Sequence, residues 1–307
     1  MLYREKVELM PLLEQRIFYK PFEYPWAYDA WLTQQKIMWF PEEVSMADDV
    51  KDWNTVLTKP EKNLLTQIFR FFTQADVEVH NCYMHKYSQV FKVPEICMML
   101  AAFANMEGMH AKGYSYLLDT VGMPEIEYQA FMHYKEMKDK YECMQGFKVD
   151  TKKNIALTMA VFGGFTEGVQ LFASFAMLIN FQRFGKMKGM GQIVAWSIRD
   201  ETLHTISMIK LLNTFINENP EIWDVELQQS IIDACNKIVT HEDAFIDLAF
   251  ELGPVQGLTK EEVKSYIRFI ANRRLMQMGL KPIYDVQKSP LEWLDEMQNG
   301  MEYANFF

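Results

Sequence analysis

Two stretches of the chain each carry a glutamate followed three residues later by a histidine. They are Glu107 with His110 in "MEGMHAK" and Glu201 with His204 in "RDETLH". On a helix, residues three apart project from neighbouring positions of one face, so both side chains of a pair can reach the same ion. One such pair arises easily by chance, but two in one chain call for a common explanation.

A carboxylate in apolar surroundings precedes each pair at a similar distance. Asp76 lies 31 residues before Glu107, and Glu167 lies 34 residues before Glu201. Four carboxylates and two imidazoles are the ligand set of di-iron and di-manganese carboxylate proteins. Buried together, four carboxylates would repel one another unless cations neutralised them. The pattern predicts a dinuclear metal site with the ligands Asp76, Glu107, His110, Glu167, Glu201 and His204.

Tyr114 follows Glu107 by seven residues and so lies on the same stripe of the helix. We expect its phenol next to the metal site and shielded from water. A dinuclear site that activates oxygen could remove one electron and one proton from such a phenol. The alternative is an ordinary buried tyrosine that hydrogen-bonds to a metal ligand.

Helical periodicity dominates the chain and must position these groups, because strong strand signals are missing. We predict helices at 25–38, 59–88, 94–121, 125–142, 150–184, 188–217, 222–250 and 259–279. No linker divides the chain, which predicts a single all-α domain over residues 1–307 that is less regular from about 280. Gly163 and Gly164 lower helix propensity just before Glu167, which predicts close packing or a π-type distortion beside the metals.

The composition indicates an acidic protein with a large core. The chain has 307 residues, 49% of them hydrophobic, and a net charge of −10. Lysine and arginine are scattered rather than clustered, which argues against binding to nucleic acid. The cysteines show no ligand spacing, so we expect reduced thiols in a cytoplasmic protein. They are Cys82, Cys97, Cys143 and Cys235.

One segment raises the question of a membrane. Residues 155–181 contain a single charged residue, Glu167, and are long enough to span a bilayer. A carboxylate near the middle would be costly in lipid, and no other segment is similar. We predict instead the central helix of a thick bundle, with no membrane association. The stretch "MLYREKVELMPLLEQ" has no apolar run of the signal-peptide type.

Further motifs extend the pattern along the chain. They are "WFPEEV" (39–44), "FFTQAD" (71–76), "EGMHAKGY" (107–114), "TEGVQLFASF" (166–175), "RDETLH" (199–204), "ANRRL" (271–275), "GLKPIY" (279–284) and "NFF" (305–307). In combination this set resembles the small, radical-generating subunit of class I ribonucleotide reductase over nearly its whole length. The resemblance implies a ferritin-like helical bundle with a four-helix core that carries the dinuclear site.

The resemblance also implies roles for individual residues. The six predicted ligands match the family's ligands, with Asp76 and His110 on one metal and Glu201 and His204 near the other. Tyr114 matches the tyrosine that such proteins oxidise to a stable radical. Trp39, Asp200 and His110 match the inner radical-transfer relay, which links the metal site to the surface.

The implied function is a division of labour between two proteins. This chain would bind two metal ions, react with oxygen or a reduced-oxygen species, and form a one-electron oxidant. It would pass that oxidant to the large, catalytic subunit, which reduces ribonucleotides to deoxyribonucleotides. A homodimer is expected, with an activating flavoprotein in the manganese case. The ligand set suits Fe–Fe, Mn–Mn and Mn–Fe alike.

The chain departs from the family pattern in two places. Leu171, Phe175 and Ser197 are expected around Tyr114, and Ser197 stands where an apolar side chain is expected, which leaves the site of the radical open. Relatives continue beyond "EYANFF" with a tail that carries a relay tyrosine and the docking segment. Tyr303 lies too early to match that tyrosine. We therefore expect no docking residue in this sequence.

Two other functions use similar ligands. A di-metal oxidase of the same fold would act directly on a fatty-acid-like ligand and would need an apolar channel. Tyr114, Trp39 and the final "NFF" favour the reductase interpretation. A ferritin-like storage bundle usually needs a shorter chain and has no use for the relay motif.

Overall fold

The computed structural model describes residues 11–297, and this part of the chain is built from α-helices. Ten of them have eight residues or more. They are α1 (Pro25–Lys36), α2 (Ala47–Thr55), α3 (Lys59–Cys82), α4 (Pro94–Thr120), α5 (Lys135–Met144), α6 (Lys152–Met159), α7 (Leu171–Ile179), α8 (Lys188–Glu218), α9 (Val225–Ala249) and α10 (Lys260–Gln277). Residues 11–297 contain no β-strand, only one isolated bridge. The all-α class is therefore confirmed.

Two helices are extended by π-helical segments, in which each backbone hydrogen bond spans one residue more than in an α-helix. The first, Tyr83–Tyr87, continues α3. The second, Ala160–Gln170, joins α6 to α7 and contains Glu167. The distortion that the sequence predicts beside Glu167 is therefore confirmed.

The starts of α3 and α4 follow from local signals. The Thr58 side chain accepts a hydrogen bond from the Glu61 amide, and the Glu61 carboxylate accepts one from the Thr58 amide, which is a capping box. Pro60 and Pro94 lie in the first turns, where a missing N–H is not needed. The predicted starts at residues 59 and 94 are confirmed.

The prediction of one helix over 125–142 is wrong. The chain forms a short helix at Glu127–Ala130, turns, and begins α5 only after Tyr134, whose backbone is extended at φ −105° and ψ 122°. The reason is tertiary. Arg70 donates a hydrogen bond to the Tyr134 hydroxyl at 2.7 Å and lies over its ring. This contact holds Tyr134 out of the helical conformation that its neighbours favour.

Helix α2 is absent from the sequence-based prediction, yet it fixes the start of α8. The buried Asp49 carboxylate accepts hydrogen bonds from the amides of Gly189 and Met190, each at 2.8 Å. Asp52 accepts one from the Met187 amide at 2.9 Å. Carboxylates at a helix N-terminus satisfy its free N–H groups and complement its dipole. The helix that carries Glu201 is thereby anchored at its first turn.

Four helical runs form the core around the predicted site. α3 packs along α4, α4 contacts α8, α8 packs against the segment Ala160–Gln170, and this segment returns to α3. The ring of contacts closes, so the predicted four-helix core is confirmed.

The apolar run through Glu167 is a core helix. Among the described residues, Lys152–Phe184 is the one helical run that could cross a membrane by length and composition. Inside the bundle, however, 94% of its most apolar window is buried. The apolar surface of this run therefore packs against the surrounding helices rather than against lipid.

Some predictions fall on residues 298–307. These are the motif "NFF", Tyr303 and the expected end before a docking tail, and they lie outside the described residues. Between α10 and residue 291 the chain has no regular helix, and residues 292–297 are helical again.

Candidate metal centre

The structure brings the six predicted ligands together in the four-helix core. Each of the four helical runs supplies one or two of them, and each side chain is at most 1% exposed. They are Asp76 from α3, Glu107 and His110 from α4, Glu167 from the π-helical segment, and Glu201 and His204 from α8.

Their polar atoms form two groups that share two glutamates. In the first group Asp76 and His110 stand with Glu107 and Glu201. In the second, Glu167 and His204 stand with the same two glutamates, and within each group the candidate ligand atoms lie within 4.8 Å of one another. The resemblance places Glu201 and His204 near the second metal, and in this geometry Glu201 and Glu107 are common to both groups.

Each histidine faces the glutamate of the opposite helix. His110 Nδ1 lies 3.0 Å from Glu201 Oε1, and His204 Nδ1 lies 2.9 Å from Glu107 Oε1. The other nitrogen of each ring contacts a polar side chain on the side away from the cluster. His110 Nε2 lies 3.3 Å from Asp200 Oδ2, and His204 Nε2 lies 3.0 Å from the side-chain oxygen of a buried glutamine on α1. Such outer hydrogen bonds fix ring orientation and turn the free nitrogen towards the site.

The six side chains leave nine buried polar atoms that make no hydrogen bond within the described part of the chain. These atoms face one another without the geometry of a hydrogen bond. Unpaired buried carboxylate oxygens are costly, and cations at the centre would satisfy them. The donor set therefore fits two bound ions. The atoms are Asp76 Oδ1 and Oδ2, Glu107 Oε1 and Oε2, His110 Nδ1, Glu167 Oε2, Glu201 Oε1 and Oε2, and His204 Nδ1.

The pKa shifts point to the same demand for positive charge. Burial raises the pKa of Asp76 well above its usual value, and the charge of Glu107 raises it further. Burial also raises the pKa of Glu167, with the charge of Glu201 as the next cause. For His204, burial lowers the pKa, but contacts with Glu107 and Glu201 outweigh it and raise the value to about 10. Without metal ions, protons must supply the charge that cations would bring.

Two glycines allow the helix that carries Glu167 to pack closely. A Cβ atom at Gly163 would clash with the Cβ of Met208 on α8, and one at Gly164 would clash with the end of the Met278 side chain. The end of the Met278 side chain can change its rotamer, whereas the Cβ of Met208 can move only with the backbone of α8. Gly163 therefore sets the distance between the π-helical segment and α8.

Replacing Gly163 with alanine is expected to lower the free energy of unfolding by about 1–3 kcal/mol, because the added methyl overpacks the core. Gly108→Ala is the matched control. Gly108 is helical and exposed, and no described atom lies within 4 Å of a Cβ placed there. That change is expected to stabilise the protein by about 0.5–1 kcal/mol. Urea unfolding of the metal-free proteins measures both, and equal effects would contradict the packing argument.

Tyr114 lies where the helical spacing predicts, beside the first group. It is 1% exposed, and its ring centroid lies 6.4 Å from that of His110 and 4.3 Å from that of Phe72. Burial, and after it the charge of Asp76, raises the pKa of Tyr114 well above its usual value. The Ser197 hydroxyl lies against the phenol and lowers that pKa slightly against these larger effects.

Of the other residues expected around Tyr114, Phe175 reaches it through Phe72. The rings of Phe72 and Phe175 meet edge to face with centroids 5.3 Å apart. Leu171 is buried in the same core. Ser197 donates its hydroxyl to the carbonyl of Ile193 at 3.1 Å, so its donor is satisfied within its own helix. The serine therefore adds a polar group beside Tyr114, and its hydroxyl is also bonded within α8.

Trp39 and Asp200 form a hydrogen-bonded chain with His110. Trp39 Nε1 donates to Asp200 Oδ2 at 2.7 Å, and the same oxygen lies 3.3 Å from His110 Nε2. Trp39 is 2% exposed and lies nearly parallel to the His110 ring, whereas its neighbour Phe40 is 50% exposed. The chain of contacts thus runs from the ligand cluster towards the surface.

Sequence reasoning missed three residues that contact this arrangement. Gln34, fully buried on α1, is the glutamine that meets His204, and its side-chain nitrogen lies 3.5 Å from Asp200 Oδ1. Tyr83 donates a hydrogen bond to a ligand, and the half-buried Trp196 packs on Trp39 with centroids 5.3 Å apart. For Gln34 the sequence offered no signal, since glutamine is usually exposed.

Comparison with known sequences identifies the family. The family model described as "Ribonucleotide reductase, small chain" matches residues 16–290. A probable ribonucleoside-diphosphate reductase small subunit of Invertebrate iridescent virus 3 is 46% identical, over 96% of this chain and 83% of the relative. The ribonucleoside-diphosphate reductase subunit beta of Chlamydia pneumoniae is 30% identical, over 94% and 86%.

Solved structures agree with this assignment. The ribonucleotide reductase R2 subunit of Clostridium botulinum is 27% identical and superposes with a TM-score of 0.83, over 90% of this chain and 89% of that one. The dimanganese(II) NrdF of Streptococcus sanguinis, 20% identical with a TM-score of 0.77 over 91% and 96%, shares the fold. The predicted ferritin-like bundle is thereby confirmed. The chain belongs to the family of ribonucleotide reductase small chains.

Proposed function

We propose that this chain is the radical-generating subunit of a class I ribonucleotide reductase. It would hold a dinuclear metal centre, store a one-electron oxidant on Tyr114, and pass it through Asp200 and Trp39 to the large subunit. The observation that carries the proposal is the pair of buried groups that share Glu107 and Glu201 and leave nine polar atoms unsatisfied.

The two groups suggest how the ligands divide. Asp76 and His110 would bind one ion, Glu167 and His204 the other, and Glu107 and Glu201 would contact both. Bound iron or manganese would activate oxygen or a reduced-oxygen species and supply the one-electron oxidant. The four carboxylates would offset the positive charge of the ions in a core without water.

Tyr114 would be the residue that is oxidised. One electron and one proton would leave the phenol, because a phenol that lost only its electron would be left positively charged in an apolar core. Burial and the rings of Phe72 and Phe175 exclude water from the product. This protection supports a long-lived radical on Tyr114 rather than a transient one.

Asp200 would orient the relay. Its Oδ2 accepts from the Trp39 indole and lies against His110 Nε2, so one carboxylate oxygen links the ligand cluster to the tryptophan. Arg199 and Gln34 hold its other oxygen at 3.4 and 3.5 Å. Held in this way, the negative Asp200 carboxylate would stabilise the positive charge that forms when Trp39 gives up an electron.

The remaining parts of the reaction would belong to partners. The large subunit would bind the ribonucleotide and reduce it, and this chain would act as a homodimer in the cytoplasm. An activating flavoprotein would be required if the ions are manganese. Binding to nucleic acid or to a membrane is not part of the proposal.

Replacing Trp39 with phenylalanine tests the relay. With the cognate large subunit, ribonucleoside-diphosphate reduction is expected to fall by about 100-fold or more. Benzene is much harder to oxidise than indole, and about 2.7 kcal/mol of added barrier already gives that factor. Metal content should stay at the wild-type level. Trp223→Phe, at a tryptophan that ends the turn Pro220–Ile222, is the control and should keep the wild-type rate.

Full activity of Trp39→Phe would contradict the relay. Absence of activity in the wild-type mixture, with metal bound and the large subunit competent with another small subunit, would contradict the proposed function as a whole.

A further inference from the structure

A second buried tyrosine contacts the half of the site that contains Glu167 and His204. The Tyr83 hydroxyl donates a hydrogen bond to Glu167 Oε1 at 2.7 Å, and its ring meets the His204 ring edge to face with centroids 6.4 Å apart. Tyr114, in contrast, lies beside His110 in the other half. Each half of the site therefore has its own phenol, and the proposed function uses only Tyr114.

The backbone gives Tyr83 a fixed place. Tyr83 follows Asp76 by seven residues along α3 and its continuation, the same spacing that separates Tyr114 from Glu107 on α4. Two helical turns bring residues seven apart to one face, so both phenols follow a ligand along its helix. Tyr83 is also the first residue of a π-helical segment, a distortion often found at functional sites.

Packing leaves the Tyr83 ring little freedom. It is 2% exposed and lies edge to face against Phe103 and Tyr87, with centroids 6.1 and 5.6 Å away. The Tyr87 hydroxyl in turn donates to the carbonyl of Thr158 at 3.2 Å. The rings of Phe103 and Tyr87 form an aromatic support that aims the Tyr83 hydroxyl at Glu167. The Tyr87 hydroxyl itself is bonded to Thr158 and to no candidate ligand.

Glu167 is the one candidate ligand that lies in a π-helical segment, while the other five lie in α-helices. The segment Ala160–Gln170 contains Gly163 and Gly164, which lower helix propensity just before Glu167. Glu167 Oε1 accepts from Tyr83, whereas Oε2 has no hydrogen-bond partner among the described residues. The two oxygens therefore have different environments, one tied to the phenol and one left for an ion.

We infer that Tyr83 is a positioning residue for the metal centre. Its hydroxyl fixes Glu167 through Oε1 and leaves Oε2 free for the ion that Glu167 and His204 would hold. The inference rests on the proposed function only in requiring that the site binds two ions. Loss of the hydroxyl frees the Glu167 carboxylate to rotate and lowers the affinity for that ion in particular. Removing an outer hydrogen bond of this kind costs about 10–100-fold in metal affinity.

Manganese(II) binding to the metal-free chain tests the inference without any activity assay. Titration followed by the electron paramagnetic resonance of free manganese gives the number of ions and their affinities. In Tyr83→Phe, one ion is expected to bind as in the wild type and the other about tenfold or more weakly. Tyr87→Phe removes a hydroxyl from the same aromatic support without touching a ligand, and both affinities should stay at wild-type values.

A double substitution identifies the weakened ion. In a Glu167→Ala background the oxygen that accepts from Tyr83 is already gone, so adding Tyr83→Phe should have no further effect on affinity. An additional loss there would mean that Tyr83 acts through something other than Glu167 and would overturn the inference. Circular dichroism of the metal-free variants checks that each is folded.

The outcomes separate this inference from the proposed function. If the wild type fails to bind two ions, the proposed function fails. If the wild type binds two ions and Tyr83→Phe binds both with wild-type affinity, the positioning role is overturned. If Tyr83→Phe lowers the affinity for both ions equally, the positioning role is also overturned. The same holds if Tyr87→Phe lowers the affinity as much as Tyr83→Phe does, because either result reflects a general loosening of the core.

Discussion

The Glu107→Ala variant is expected to bind fewer than one metal ion per chain, whereas the wild type is expected to bind two. Glu107 belongs to both groups of ligand atoms, so its loss removes an oxygen from each. It also leaves His204 Nδ1 without the oxygen that lies 2.9 Å away. Elemental analysis after loading with iron(II) or manganese(II), and removal of free ions, measures the effect.

The control for this variant is Glu78→Ala. Glu78 lies two residues after Asp76 on α3, and its carboxylate accepts hydrogen bonds from Gln74 and Gln145 rather than facing the cluster. Its replacement should leave metal content unchanged. Wild-type stoichiometry in a folded Glu107→Ala protein would contradict the ligand assignment.

The Tyr114→Phe variant is expected to lose the tyrosyl signal in electron paramagnetic resonance after aerobic reconstitution. The change removes one oxygen from a buried ring and leaves the six ligands in place, so metal content should remain at two ions per chain. Phenylalanine has no acidic proton to release and is much harder to oxidise. The oxidising equivalent would then have no resting place on this residue.

Tyr116→Phe is the matched control for the radical. Tyr116 lies two residues further along α4, on another face and only partly buried, and should keep the signal. A tyrosyl signal that persists in Tyr114→Phe would show that the radical lies on another tyrosine. A purely metal-centred oxidant, the same in wild type and variant, would show that Tyr114 does not store it.

That the candidate ligands come together could be predicted from the sequence because their spacing is local. Glu107 and His110 share a helix face whatever the helix packs against, and the same holds for Glu201 and His204. The sharing of Glu107 and Glu201 between two groups could not be predicted. It depends on how α4 and α8 face each other, which is a property of packing and not of spacing along one helix.

Other features could not be predicted from sequence patterns because they depend on contacts between distant parts of the chain. Helix α2 is rich in acidic residues, and its role is to cap α8 through Asp49, a contact between distant parts of the chain. The break at Tyr134 depends on Arg70, 64 residues earlier. Tyr83 did leave a signal, since its spacing from Asp76 repeats that of Tyr114 from Glu107, but the spacing alone does not show a hydrogen bond to Glu167.

The number of metal ions bound per chain tests the central claim most directly. Two ions per wild-type chain, measured by elemental analysis of the loaded and desalted protein, is the result that two ligand groups sharing Glu107 and Glu201 predict. One ion or none, in a folded protein exposed to excess iron(II) and manganese(II), would contradict it.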